Sequence, residues 1–183
     1  MEKKDNNGFS RRAFLSRSTV ALAAGGLGMS PSFGFGKSEK ISRKMKKIKI
    51  THTDSNFERE PLYPYRFKGS AITQAWQAVA LMQSESGRHK IGIGTQGTLW
   101  SDKTVFQNHS TTGGNALMYA MTERALQIIK GNSFVDPITL LDEVLPEVYA
   151  YGQKITGNPD LKTTFALNSL VPVDNAIWLL YGE

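Results

Sequence analysis

The sequence predicts an α+β fold in which a small antiparallel sheet is followed by helices that cover one face. Two patterns support this prediction: hydrophobic residues recur with a period of two in the first part of the folded region, and with a helical period after about residue 114. The chain has 183 residues, of which 40% are hydrophobic, and no cysteine. It is therefore long and apolar enough to bury one core, and it is not a disulfide scaffold.

The first strand is predicted at about 47–56, where Ile48 and Ile50 alternate with polar residues. The next segment, 58–66, contains two prolines. Proline removes a backbone donor and restricts the residue before it. We therefore predict a loop at 58–66, with an unusually high content of aromatic and charged residues.

The second and third strands are predicted at 75–85 and 90–95. Between them lies a short segment in which Gly87 suits a tight hairpin turn. The three strands together predict an antiparallel meander. A second irregular segment is expected at 97–110, before the helical pattern begins.

Three helices are predicted to follow the meander. The first spans about 114–130, the second begins where Asp136 caps Pro137, and the third spans about 161–181 with Pro172 expected to kink or divide it. The residues predicted to face the core are Leu117, Met121, Leu126 and Ile129, then Ile138, Leu141, Leu145 and Val148, then Phe165, Leu170, Ile177 and Trp178.

The basic charge of the chain is confined to its first quarter. Residues 1–47 contain 11 Lys and Arg and 3 Asp and Glu, a net charge of +8, whereas the remaining residues have a net charge of −2. A nucleic-acid-binding domain needs cations clustered on its folded surface. The slightly acidic body therefore argues against nucleic acid as a partner.

The N-terminal segment has the pattern of an export signal. Residues 10–15 read Ser-Arg-Arg-Ala-Phe-Leu, and a mildly apolar run follows at 19–29. This order resembles a twin-arginine (Tat) signal. The apolar run has 11 residues, whereas a membrane-spanning helix needs about 20, so no stable membrane span is expected. The resemblance implies that residues 10–29 engage the Tat machinery and that the protein works in the periplasm. The alternative is a disordered basic tail with a chance arginine pair.

The chain is accordingly divided into a signal peptide at 1–36, a basic linker at 37–46 and a folded domain at 47–183. Small residues place the expected cleavage near residue 32 or residue 36. Since the linker has no aromatic residue to stack on bases, we interpret it as a solvated connection rather than a patch for lipid or nucleic acid.

Two apparent cofactor motifs do not fit their chemistry. Residues 92–97 match the dinucleotide motif G-x-G-x-x-G, but that motif needs a nucleotide-binding helix at its end and an acidic residue about 20 positions further on. We interpret these glycines as sites of close backbone approach at a strand end. His52, His89 and His109 fall on a predicted strand, hairpin and loop, which does not predict a zinc site. No cofactor and no metal ligand is therefore expected in this chain.

The two predicted loops, 58–68 and 97–110, leave the same small sheet. Tyr63, Tyr65 and Arg66 offer aromatic walls and a cation for a carboxylate, and Trp100, with Ser101 and Asp102 beside it, offers a facing side. The alternative is that these aromatic residues cover the end of the sheet as ordinary packing.

Three segments together resemble a known family. The strand at 47–50, the hairpin at 85–94 and the run Val-Asp-Asn-Ala-Ile-Trp-Leu-Leu-Tyr-Gly at 173–182 resemble the N-terminal capping domain of the enolase superfamily, in the mandelate racemase/muconate lactonizing enzyme group. The similarity covers about residues 46–183. It departs from the family run after Trp178, where an Asp is usual.

The resemblance implies a lid that closes over a (β/α)-barrel. In the family, Mg²⁺ and the proton-abstracting base belong to the barrel, so no catalytic residue and no metal ligand carries over to this chain. The two loops of the capping domain shape specificity and exclude water, which implies that Tyr63, Tyr65, Arg66 and Trp100 face the substrate.

The function that this resemblance implies is that of a capping domain in an exported, Mg²⁺-dependent racemase, epimerase or cycloisomerase that acts on a small carboxylate substrate. We expect the chain ending at Glu183 to lack its partner barrel, to be inactive alone and to self-associate. The alternative is a freestanding periplasmic module that binds a small acid or a protein.

Overall fold

The computed structural model describes residues 46–67 and 70–182. The elements, in chain order, are β1 (Ile48–Phe67), β2 (Ser70–Ser84), β3 (His89–Gln96), α1 (Thr98–Ser101), α2 (Lys103–Asn108), α3 (Thr111–Ile129), β4 (Ser133–Phe134), α4 (Pro137–Thr156) and α5 (Thr163–Tyr181). The predicted signal at 1–36, and the predicted linker except for its last residue, lie outside the described residues. Within the described part, no helix is both long and apolar enough to cross a membrane.

The sheet and the helices confirm the predicted α+β fold. The strand order is β3-β2-β1-β4, and every pairing is antiparallel. The fourth strand was not predicted: it has two residues, which pair with Ile48 and Lys49 of β1. Two residues are too few to show a period of two.

The predicted loop at 58–66 is wrong, because β1 continues through it to Phe67 and pairs with β2 as far as Ser70. Between the pairs Pro61–Gln74 and Tyr65–Ile72 the register shifts, and this bulge takes Pro64 out of the ladder. On the edge of β1 that does not face β2, no described strand pairs with residues beyond Lys49. The prolines of β1 therefore remove few hydrogen bonds between strands.

Beyond the end of β3, strands β1 and β2 continue as a two-stranded extension. The last pair between β2 and β3 joins Trp76 to Gln96, and Trp76 also pairs with Arg59. We call the part of this extension beyond Arg59 and Trp76 the ribbon, residues 60–67 and 70–75. It stands above the sheet end from which α1 begins.

The G-x-G pattern of β3 is explained by helix packing. A Cβ atom on Gly92 would overlap the Pro172 carbonyl oxygen of α5, and one on Gly94 would lie 2.7 Å from the Pro172 side chain. The glycines therefore let α5 lie directly on β3, as the sequence predicted. A helix does follow the pattern, contrary to expectation, but α1 has four residues, and the backbone N–H of Gly97 donates to Asn168.

Some core residues differ from the predicted set. α5 runs through Pro172 as one helix, so of the two predicted outcomes, a kink or a division, the division does not occur. Ile138 and Trp178 are 56% and 44% exposed, and the buried side chains of α4 and α5 include neighbours of the predicted residues instead. Those neighbours are Leu140, Val144, Val173, Ala176 and Leu180. α4 and α5 are apolar on more than one side, so the period alone does not decide which side is buried.

Candidate functional site

The segment after β3 is held by a buried carboxylate. Asp102, which is 2% exposed, lies between α1 and α2, and its Oδ1 accepts the backbone N–H groups of Thr104 and Val105 at 2.8 and 3.0 Å. Its Oδ2 accepts the N–H of Lys162 at 2.8 Å and Asn158 Nδ2 at 3.4 Å. Both oxygens are thus used within the chain, which for Asp102 favours the packing alternative over a ligand contact.

Two asparagines fix the beginning of α1. Asn168 Oδ1 on α5 accepts the Gly97 N–H at 3.0 Å. Asn115 Oδ1 on α3 accepts both the N–H and the hydroxyl of Thr98, at 3.2 and 2.6 Å. These side chains belong to two long helices of the core, so α1 has a defined position relative to the sheet end.

The base of the ribbon is anchored by an aromatic cluster. The rings of Phe57 and Trp76 are stacked with centroids 4.8 Å apart, and Tyr119 of α3 meets Phe57 edge to face at 4.9 Å. The Arg59 guanidinium lies 5.6 Å from the Trp76 ring centroid. Burial raises the pKa of the Tyr119 phenol, which therefore stays protonated at neutral pH and donates to Ser55 at 2.9 Å.

The ribbon and α1 enclose a cavity of about 380 Å³. Its floor is formed by the end of β3 and by residues of α3 and α5. The lining consists of Leu62, Tyr65, Ile72, Gln74, Ala75, Thr95, Gln96, Gly97, Thr98, Leu99, Trp100, Ser101, Thr111, Asn115 and Asn168. A volume of this size lies within the range of small-molecule sites.

The structure brings together two of the four residues predicted to face substrate. Tyr65 and Trp100 line the cavity from opposite walls, and they are 54% and 66% exposed. Tyr63 lies in the bulge of β1 and is 94% exposed, and Arg66 is exposed on the ribbon; neither is part of the lining. A substrate contact by Tyr63 or Arg66 stays a prediction.

Two glutamines of the lining were missed by the sequence reasoning. The side-chain oxygens of Gln74 and Gln96 are buried and accept no hydrogen bond from any described residue. Leaving such an acceptor unpaired costs about 1–3 kcal/mol. The signal in the sequence is weak: Gln96 follows Gly92 and Gly94 at the period of the buried face of β3, where an apolar residue would be expected.

The orientation of the Gln96 amide follows from its neighbours. Gln96 Nε2 donates to Thr122 Oγ1 at 3.3 Å, and Thr122 Oγ1 donates to the Ser169 carbonyl at 2.7 Å. A hydroxyl has one hydrogen. Since Thr122 uses that hydrogen on Ser169, it can only accept from Gln96, and the Gln96 oxygen is left as the unpaired end.

In the part of the chain that the structure describes, the cavity has no charged lining residue and no cluster of carboxylates or histidines to hold a metal ion. Among the described residues, none of those that line it is charged, and none of the described residues forms a group of three or more His, Cys, Asp or Glu able to hold a metal ion. The described residues therefore do not fit an Mg²⁺ site. The Mg²⁺ that the resemblance implies belongs to the barrel of an intact enzyme and stays a prediction.

No family model and no curated protein matches the chain. Among solved structures, the chain is 18% identical to a dipeptide epimerase from Enterococcus faecalis V583 that was complexed with Mg and the dipeptide L-Leu-L-Tyr. The match covers 73% of this chain and 31% of that chain, with a TM-score of 0.43. An L-talarate/galactarate dehydratase from Salmonella typhimurium LT2 is 16% identical over 72% of this chain and 29% of its own, with a TM-score of 0.46.

A third similar structure is a mandelate racemase/muconate lactonizing protein from Herpetosiphon aurantiacus, 16% identical over 70% of this chain and 29% of its own, with a TM-score of 0.38. The chain spans about a third of the length of these three proteins. At such identities and TM-scores, the similarity carries nothing about activity, substrate or metal.

The hydrogen bonds of Asp102 predict that removing its side chain strongly lowers the stability of the fold. Asp102→Ala removes the cap of α2 and leaves the Lys162 N–H without its acceptor, so the free energy of unfolding should fall by about 3 kcal/mol. Ser110→Ala is the matched control, because the Ser110 hydroxyl caps α3 through one bond to the Gly113 N–H and should cost about 1 kcal/mol. Urea unfolding of the two variants measures the difference. Equal losses would show that the bonds to Asn158 and Lys162 contribute nothing.

Proposed function

We propose that this chain is the capping domain of an exported, Mg²⁺-dependent racemase, epimerase or cycloisomerase that abstracts the proton α to a carboxylate. The observation that carries the proposal is the cavity between the ribbon and α1. Leu62 and Tyr65 on one wall and residues 97–101 on the other belong to the two segments, 58–68 and 97–110, to which the resemblance assigns substrate specificity. Tyr65 and Trp100 stand on these opposite walls.

The capping domain has a limited share of the chemistry in this proposal. The cavity walls, including Leu62, Leu99 and Trp100, bind the part of the substrate remote from the reacting carbon and keep water from it. The carboxylate, the base and Mg²⁺ are placed in the barrel. No step of proton transfer is assigned to a residue of this chain.

Exposed apolar residues on α5 are consistent with the proposal that another domain covers this helix. Leu167, Val171, Trp178, Leu179 and Tyr181 are all exposed on this helix, with exposed fractions between 36% and 51%. We call these five residues the α5 apolar surface. Apolar side chains gathered on one element in this way mark an interaction surface, and in this proposal the barrel covers it.

A second candidate function is a freestanding periplasmic module that binds a small acid or a protein. One observation favours it: the cavity is formed wholly by this chain, with walls from the ribbon, α1, α3 and α5. The two proposals differ in what they require of the α5 apolar surface. A capping domain needs it covered by another domain, whereas a freestanding module has to remain soluble with it exposed.

The capping proposal predicts that the chain self-associates through the α5 apolar surface. Size-exclusion chromatography with light scattering on the full chain should show oligomers, and Leu179→Lys should weaken association at least about tenfold by placing a charge in an apolar contact. Ile138→Lys is the matched control, since Ile138 on α4 is 56% exposed and Leu179 is 51% exposed. A monodisperse wild-type monomer would favour the freestanding module.

Export is a separate part of the proposal, supported by the Ser-Arg-Arg-Ala-Phe-Leu sequence at 10–15 and the short apolar run after it. Replacing Arg11 and Arg12 together by Lys keeps the positive charge and removes the guanidinium pair. The doubly substituted chain should stay in the cytoplasm when cell fractions are compared by immunoblot. As a control, Arg17→Lys should be exported like the wild type. Unchanged export of the double variant would exclude the twin-arginine route.

A further inference from the structure

We infer that two copies of this chain dimerise by pairing the outer edges of their β1 strands antiparallel, about a twofold axis at Ser55. We call residues 51–60, on the side of β1 that does not pair with β2, the free edge. The inference goes beyond the proposed function and does not rest on it, because the free edge belongs neither to the lining of the cavity nor to the α5 apolar surface.

The free edge is bounded at both ends. At one end, β4 and the turn before it bond to residues 48–50. At the other end, Pro61 has no backbone N–H and begins the register shift of β1. Among the described residues, none forms a strand beside 51–60 on this side. An exposed strand edge of this kind is a template for pairing with another strand.

The backbone donors of the free edge are held by neighbouring side chains instead of by a strand. The Ser55 N–H donates to Asp54 Oδ1 and the Phe57 N–H donates to Asn56 Oδ1, both at 2.8 Å. N–H groups engaged in this way point away from β2, so alternate residues of β1 present their backbone groups outward. A bond to the preceding side chain closes a small ring and is bent, whereas a facing strand offers nearly straight N–H···O=C bonds. Pairing therefore improves these bonds.

The opposite edge of the sheet is closed to a further strand. Asn175 Nδ2 of α5 donates to the Ile93 carbonyl at 2.8 Å, and Asn168 Nδ2 donates to the Thr95 carbonyl at 3.4 Å. These side chains occupy positions that the donors of a new strand would need. Of the two edges of the described sheet, that of β1 is the one that accepts a strand, so pairing between two copies joins β1 to β1.

The charges on β1 favour one register. In a dimer with a twofold axis perpendicular to the sheet, residues equally distant from the axis lie opposite each other on the same face. An axis at Asp54 would oppose two copies of this carboxylate, and an axis at Asn56 would oppose Asp54 to Glu58 twice. An axis at Ser55 instead places Asp54 opposite Asn56 and His52 opposite Glu58. Since like charges directly opposite destabilise a strand pair, we infer the axis at Ser55.

The same register covers an exposed aromatic ring. Phe57 is 36% exposed, and Thr53 of the second copy lies opposite it in this register. Aromatic and β-branched residues are favourable cross-strand neighbours. Glu123 of α3 bonds to Ser55 at the axis, so two copies of this carboxylate approach each other there. Glu123 is exposed, and salt screens a repulsion between exposed charges.

Hydrogen exchange on the full chain tests the pairing. The chain carries Leu179→Lys, so that association through the α5 apolar surface does not interfere. The backbone N–H groups of residues 53, 55 and 57 should exchange at least about tenfold more slowly in a concentrated sample than after about a hundredfold dilution. The N–H groups of residues 91, 93 and 95 lie on the opposite edge of the sheet and serve as the internal control. Their exchange should not depend on concentration.

A charge at position 56 tests the register. Asn56→Asp places a carboxylate opposite Asp54 at two symmetric positions and should weaken dimerisation about threefold or more, whereas Asn56→Lys should strengthen it by a similar factor. Ala150→Asp and Ala150→Lys are the matched controls, because Ala150 is exposed on α4, which packs on α3 and α5. Sedimentation equilibrium measures the dissociation constants. Opposite shifts from one position exclude a general loss of folding as their cause.

Three results would overturn the inference. The first is a monomer at every concentration. The second is slow exchange at residues 53, 55 and 57 that does not change on dilution, because the free edge would then be paired within one chain. The third is a dimer in which these N–H groups still exchange fast, or in which Asn56→Asp and Asn56→Lys have the same effect or none, because the contact would then lie elsewhere. None of these results bears on the proposed function, which does not use the free edge.

Discussion

The hydrogen bonds of Asp102 are the interaction on which the rest of the site depends. Its Oδ1 caps the beginning of α2, and its Oδ2 accepts from Asn158 and Lys162 in the connection between α4 and α5. A single buried carboxylate therefore joins the segment after β3 to the far end of the helical layer. Because its bonds are made to backbone N–H groups and a side-chain amide rather than to a cation, the arrangement depends on geometry more than on charge.

The second wall of the cavity depends on the sheet instead. β1 and β2 extend past β3, and the stacked rings of Phe57 and Trp76 tie the base of this extension to Tyr119 of α3. The two walls thus reach the same helix by different routes, since Asn115 of α3 also holds Thr98 of α1. This common support gives the cavity a defined shape within one chain, although Tyr65 and Trp100 on its two walls are 35 residues apart in sequence.

Much of the fold could be predicted from local patterns. The alternation at Ile48 and Ile50, the glycines that admit α5, and the Asp136-Pro137 start of α4 each have a local physical cause, and the Asp136 side chain does accept the Thr139 N–H. The prolines of β1 misled the prediction because an edge strand tolerates them where a central strand does not. Which side of α4 and α5 is buried was equally undetermined, since both sides are apolar.

The site was harder to predict than the fold. Tyr65 and Trp100 were found because aromatic residues in two segments next to one sheet end are a visible pattern. Gln74 and Gln96, which also line the cavity, were not found, because neither their type nor their spacing marks them in the sequence. For Asp102 the sequence left a ligand contact and packing as alternatives, since a capping carboxylate and a ligand-binding carboxylate look the same in sequence.

The central proposal is that this chain acts as the lid of a larger enzyme whose barrel supplies the chemistry. The nucleotide sequence that follows codon 183 in the source DNA tests it most directly. The account predicts an open reading frame, in the same or a shifted frame, that encodes a Lys-x-Lys strand and three spaced acidic residues on later strands. A stop codon followed by an unrelated gene would contradict it.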